Sequence, residues 1–126
     1  MAELDSNMPP GVQAAGLNAF FRILDAWSVT DEERRLLLGN PSRATLRTFK
    51  EGSPEFVTSD TLDRLSYVLG IHKALAILFS QENQVRWLKN PNQDTPFAGK
   101  SPLDHMLSGR IEAMREVRRY LDAACG

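Results

Sequence analysis

Apolar residues recur every three to four positions through nearly the whole chain, which is the period of an amphipathic helix. No run of β-branched residues alternates with polar ones, and there is no Asn-Gly hairpin signal. The pattern therefore predicts an all-α protein. A first helix over residues 16–28 places Leu17, Phe20, Phe21, Leu24 and Trp27 on one face. Thr30 then stands where an N-cap belongs, with Glu33 at the capping-box position. That second helix carries Leu36, Leu37 and Leu38 and stops at Gly39-Asn40-Pro41. Ser42 caps a short third helix, "RATLRTFKEG", ended by Gly52. Two short helices this close together have the spacing of a helix-turn-helix.

"SPEFV" reads as a linker. Thr58 or Ser59 starts a fourth helix with Leu62, Leu65, Val68 and Leu69 inward, and Gly70 is expected to break it. "IHKALAILF" follows as a further helix, and "QENQVRWLK" as another or as its extension. Residues 90–101 are polar and proline-rich. Ser101-Pro102-Leu103-Asp104 then has the form of a helix start: a capping serine, proline at the first position, an acid in the first turn. Gly109 interrupts. A last helix, 110–124, is expected to bury Ile111, Met114, Val117, Leu121 and Ala124. Its outer face pairs Arg118 with Asp122 and Glu112 with Arg115.

Composition narrows the class. The chain has 126 residues, 42% hydrophobic and 25% charged, which are ordinary globular values. One compact unit or two very small subdomains fit that length. No apolar run approaches the roughly 18 residues that span a bilayer. The start, "MAELDSNMPPG", lacks the basic and apolar signature of a secretion signal, so residues 1–11 read as a flexible tail on a cytoplasmic protein. A single cysteine, Cys125, excludes an internal disulfide, and with two distant histidines no metal site or cofactor is expected. His72 reads as a helix-surface residue. His105 follows Asp104, but adjacent helical positions do not face each other. No arrangement of nucleophile and base emerges, so the chain is not expected to be an enzyme.

Gly99-Lys100-Ser101 sits ahead of a helix start and invites comparison with a phosphate-binding loop. Such a loop needs a glycine five positions before its Gly-Lys pair. That position is Asp94, an anion, and "TPFA" puts a proline and a phenylalanine inside the would-be loop. A structured turn leading to a capped helix accounts for Lys100 and Ser101. Phe97 has two readings: it plugs the core beneath its own loop, or loop and final helix form a surface for another protein.

Charge is more telling locally than in total. The net charge is −1, yet residues 40–50 hold Arg43, Arg47 and Lys50 and no acid. On a helix these lie at i, i+4 and i+7, within about a third of the circumference. A second helix so decorated can enter the major groove, with Thr45 and Thr48 adding phosphate contacts. The plain alternative is a solvated helix face. If DNA is bound, near-neutral total charge favours a dimer, because one module makes few phosphate contacts.

The C-terminal half carries a more specific pattern. Trp87-Leu88, Pro91-Asn92, Phe97 and Gly99, Ser101-Pro102-Leu103 and Gly109 precede a closing amphipathic helix. This resembles the toxin-binding domain of Xre/MbcA/ParS-type antitoxins, and the N-terminal half looks like the Xre-type helix-turn-helix that accompanies it. The resemblance implies a type II antitoxin, partnered by a RES-domain toxin that attacks NAD or uses it to modify proteins. Such antitoxins are usually dimeric, cover the toxin's active-site cleft and repress their own operon. On that basis residues 12–70 are the helix-turn-helix domain and 71–126 the toxin-binding domain. The toxin contact is expected at the end of the last helix. There Ala123, Ala124, Cys125 and Gly126 would plug the cleft, with Tyr120 and Leu121 as anchors at its rim. Arg115 and Arg119 either join that contact or keep the helix soluble. The competing class is a stand-alone helix-turn-helix regulator whose C-terminal region dimerises.

Overall fold

A computed structural model describes residues 10–51, 57–108 and 110–126. Among the described residues there are seven helices and no strand. They are α1 (Pro10–Ala26), α2 (Asp31–Leu37), α3 (Arg43–Lys50), α4 (Ser59–Leu78), α5 (Gln81–Lys89), α6 (Pro102–Leu107) and α7 (Ile111–Cys125). The first helix starts six residues earlier than expected, because the small and polar residues ahead of Leu17 carry no periodic signal. The expected tail, and the expected ends at Gly52 and Gly109, fall largely outside the described residues.

Local chemistry sets the ends of α2 and α3. The Thr30 hydroxyl accepts from the Glu33 amide at 3.1 Å, and the Thr30 amide donates to the Glu33 carboxylate at 2.8 Å. Each satisfies a backbone donor that the first turn would otherwise leave unpaired. At the other end Asn40 donates back to the Arg35 carbonyl at 2.8 Å, with Gly39 and Asn40 both at positive φ. That geometry reverses the chain within a few residues and brings α3 beside α2. Ser42 caps α3 through the Thr45 amide at 3.1 Å.

The longest helix, α4, is the spine. It buries Leu62, Leu65, Val68, Ile71, Ala74 and Leu75, packing α1 on one side and α7 on another. Gly70 does not break it. A Cβ there would stand 2.7 Å from the Arg118 Nε of α7, so the glycine makes room for that guanidinium and the helix runs through. The interruption expected from local propensity is outweighed by tertiary packing on both faces.

Arg64 is buried in the same helix, only 6% exposed, and bonds the Asp60 carboxylate at 2.9 Å. Its guanidinium lies over the α2–α3 turn, where a Cβ on Gly39 would come within 3.1 Å of Nε. One core runs from Leu17 and Trp27 through α4 to Met114 and Leu121. In α7 the buried set is Ala113, Met114, Val117 and Leu121. Ile111 is half-buried and Ala124 is exposed.

Candidate functional site

The basic stripe of α3 is formed as its spacing predicted. Leu46 and Phe49 are buried, while Arg43, Arg47 and Lys50 are exposed. The threonines are committed elsewhere: Thr48 donates to the Ala44 carbonyl at 3.1 Å, and Thr45 shares a 2.9 Å hydrogen bond with Ser42. The acids at the start of α2 fold onto this same face, a placement that their position in the sequence does not announce. Asp31, Glu32 and Arg35 line one concavity with Arg43, Arg47 and Lys50. The Lys50 Nζ stands 2.9 Å from the Asp31 carboxylate, and that contact holds the carboxyl below its usual range. The Arg35 guanidinium bonds Glu32 at 2.6 Å and lowers it likewise.

The loop before α6 is tightly pinned. Gly99 donates to the Asn92 carbonyl at 2.8 Å and Asn92 to the Lys100 carbonyl at 3.0 Å. The Lys100 amide bonds the Phe97 carbonyl, and Ser101 caps α6 through the Asp104 amide at 3.0 Å. The amides and hydroxyl that a phosphate would need are engaged in the turn. Phe97, 1% exposed, is the plug: Trp87, Tyr120 and His105 meet it edge-on at 5.8, 5.2 and 5.7 Å. Its burial fits the reading of a plug beneath its own loop. Trp87 is half-buried and stacks between Phe79 at 6.5 Å and Tyr120 at 5.9 Å.

Through this aromatic cluster the loop fixes α7. The Tyr120 hydroxyl donates to Asp94 at 2.6 Å. That hydrogen bond to a carboxylate, with burial behind it, pushes the phenol above its ordinary value of 10.0. At the far end the Cys125 thiol donates to the Ala74 carbonyl at 3.7 Å. The residues expected to protrude are the last helical turn, held on α4: Ala123, Ala124 and Cys125 are helical and exposed, and Gly126 is the C-cap. Leu121 is 1% exposed, so it fastens the helix to the core and offers no surface. Arg115 pairs with Glu112, and Arg119 is exposed on the same stripe. Arg118 lies 3.7 Å from Asp122 and over the Tyr67 ring.

Residues 9–70 match the model of the antitoxin Xre-like helix-turn-helix domain. Residues 74–125 match the antitoxin Xre/MbcA/ParS C-terminal toxin-binding domain. The chain belongs to the Xre/MbcA/ParS antitoxins. The antitoxin is also similar to the protein y4oB of Sinorhizobium fredii, 43% identical over 113 residues, covering 89% of this chain and 85% of that one. The two family matches adjoin inside α4, so one continuous helix carries both halves of the antitoxin. The same helix flanks an apolar concavity against α1, lined by the exposed Ile77, by Ala15 and Ala19, and by the half-buried His72, whose Nδ1 has no hydrogen-bond partner among the described residues. No helix among the described residues is long and apolar enough to cross a membrane.

Proposed function

We propose that this antitoxin neutralises a RES-domain toxin, a NAD-using enzyme, by covering its active-site cleft with the exposed side of α7. The observation that carries this reading is the way α7 is presented. Its inner face is locked by Met114, Val117 and Leu121, and its outer stripe of Arg115, Arg119 and the last turn is left to solvent. A pre-ordered helix face loses little conformational entropy on docking. Tyr120, tied to Asp94 and half-exposed, sits at the edge of that face as an amphipathic contact residue. The match of residues 74–125 to a toxin-binding domain favours this reading over a stand-alone regulator with a C-terminal dimerisation region.

A second activity accompanies it. The stripe of Arg43, Arg47 and Lys50 supports docking of α3 in the major groove of an operator, giving repression of the antitoxin's own operon in the cytoplasm. Two copies acting together would supply the phosphate contacts that one near-neutral chain lacks. On this division residues 12–70 serve DNA and 71–126 serve the toxin, as in a type II system.

Co-purification with the product of the adjacent gene tests the toxin contact. The unmodified chain should carry that product through two columns. Arg119→Glu combined with Ala123→Arg should lose it while keeping the helical spectrum. Retention of the complex by that double variant would move the contact off the outer stripe of α7.

A further inference from the structure

The helix-turn-helix face is not uniformly basic, and the exception is specific. Asp31 is the first residue of α2 and reaches across to the last residue of α3, closing on Lys50 at 2.9 Å. In a helix-turn-helix docked on DNA, the first helix crosses the backbone while the second enters the groove. Helix N-termini are ordinarily where a phosphate is received, because unpaired amides and the helix dipole face it. Here that end presents exposed Asp31 and Glu32, and Asp31 also occupies one of the three bases of the reading helix.

We propose that Asp31 is a brake on operator binding. It engages Lys50 so that a phosphate must displace a carboxylate to reach it. This rests on the reading that α3 docks on DNA. Both partners are open to solvent, with side chains 41% and 69% exposed, so the pair is weak enough for a phosphate to compete with it. Phosphate affinity at Lys50 is thereby lowered without being abolished. Arg43 and Arg47 carry the initial contact and Lys50 engages only once the pair opens. The alternative mechanism, simple repulsion of DNA by an extra negative charge, makes a different prediction. It does not require Lys50.

The experiment is a double-mutant cycle on a duplex taken from immediately upstream of the antitoxin's own gene, titrated across a salt series. Asp31→Asn should bind about two- to fivefold more tightly at low salt, and its plot of log K against log salt should steepen by about 0.9, the value of one added phosphate contact. Lys50→Gln should change little in the unmodified background and should erase the gain in the Asp31→Asn background. A gain that survives without Lys50, or no gain at all, overturns the brake. Arg43→Ala with Arg47→Ala serves as the separate control. If that pair leaves binding unchanged, it is the docking of α3 that fails, and the brake falls with it. All these positions are exposed, and a circular dichroism melt of each variant should match that of the unmodified chain.

Discussion

The Tyr120 hydroxyl of α7 donates to the Asp94 carboxylate in the loop before α6, at 2.6 Å and across 26 positions of sequence. That bond joins the loop to the helix that faces the toxin in our account. A hydrogen bond to a charged acceptor contributes about 1.5–3 kcal/mol when buried, and less at a half-exposed site such as this. Tyr120→Phe should therefore lower stability by about 1 kcal/mol in urea unfolding, with the aromatic stack preserved.

The same contact has a pH signature. The folded-state pKa of Tyr120 lies above its ordinary value of 10.0, so the folded protein holds this proton more tightly than the unfolded chain. The associated stability is fully present below about pH 10 and is lost as pH rises through the raised value. Ultraviolet titration should show Tyr120 ionising later than a free tyrosine. Asp94→Asn should bring it back towards the ordinary value, and an unmoved titration would show that the carboxylate does not act on the phenol.

Gly70 is where α7 crosses α4, with Arg118 against it. Replacement by leucine puts side-chain atoms into space that the guanidinium fills. Gly70→Leu should cost about 1–3 kcal/mol despite the better helix propensity of leucine. A neutral or stabilising result in chemical denaturation would show that Arg118 moves aside freely.

Phe97 packs beneath its loop at 1% exposure, inside a ring of Trp87, His105 and Tyr120. Phe97→Ala should destabilise by about 3–5 kcal/mol, the range for emptying a buried aromatic site. Since the same ring orients Tyr120, toxin binding should weaken with it. A variant that keeps its stability would mean that the loop collapses into the vacated space.

The parts of this molecule legible in the sequence are those decided by neighbours within one helical turn. Thr30 and Glu33 form a reciprocal cap because their spacing alone permits it, and Ser42 and Ser101 cap for the same reason. The α3 stripe follows from residues three and four apart. Gly70 was misleading because its purpose lies 48 positions away, in Arg118. The acids on the basic face were missed because Asp31 and Lys50 meet only once α2 and α3 are folded against each other. Leu121 fitted an amphipathic contact residue equally well on paper, and only the packing of α7 on α4 assigns it to the core. Nor does anything local announce that the Cys125 thiol will reach the Ala74 carbonyl and hold the exposed last turn against α4.

Shielding of a NAD-using enzyme, as proposed for this antitoxin, is tested most directly by a titration of NAD turnover. The purified product of the adjacent gene is supplied with NAD while the antitoxin is added stepwise. Turnover should fall to background at a fixed molar ratio, and Arg119→Glu with Ala123→Arg should restore it. Undiminished NAD consumption at saturating antitoxin would contradict the claim.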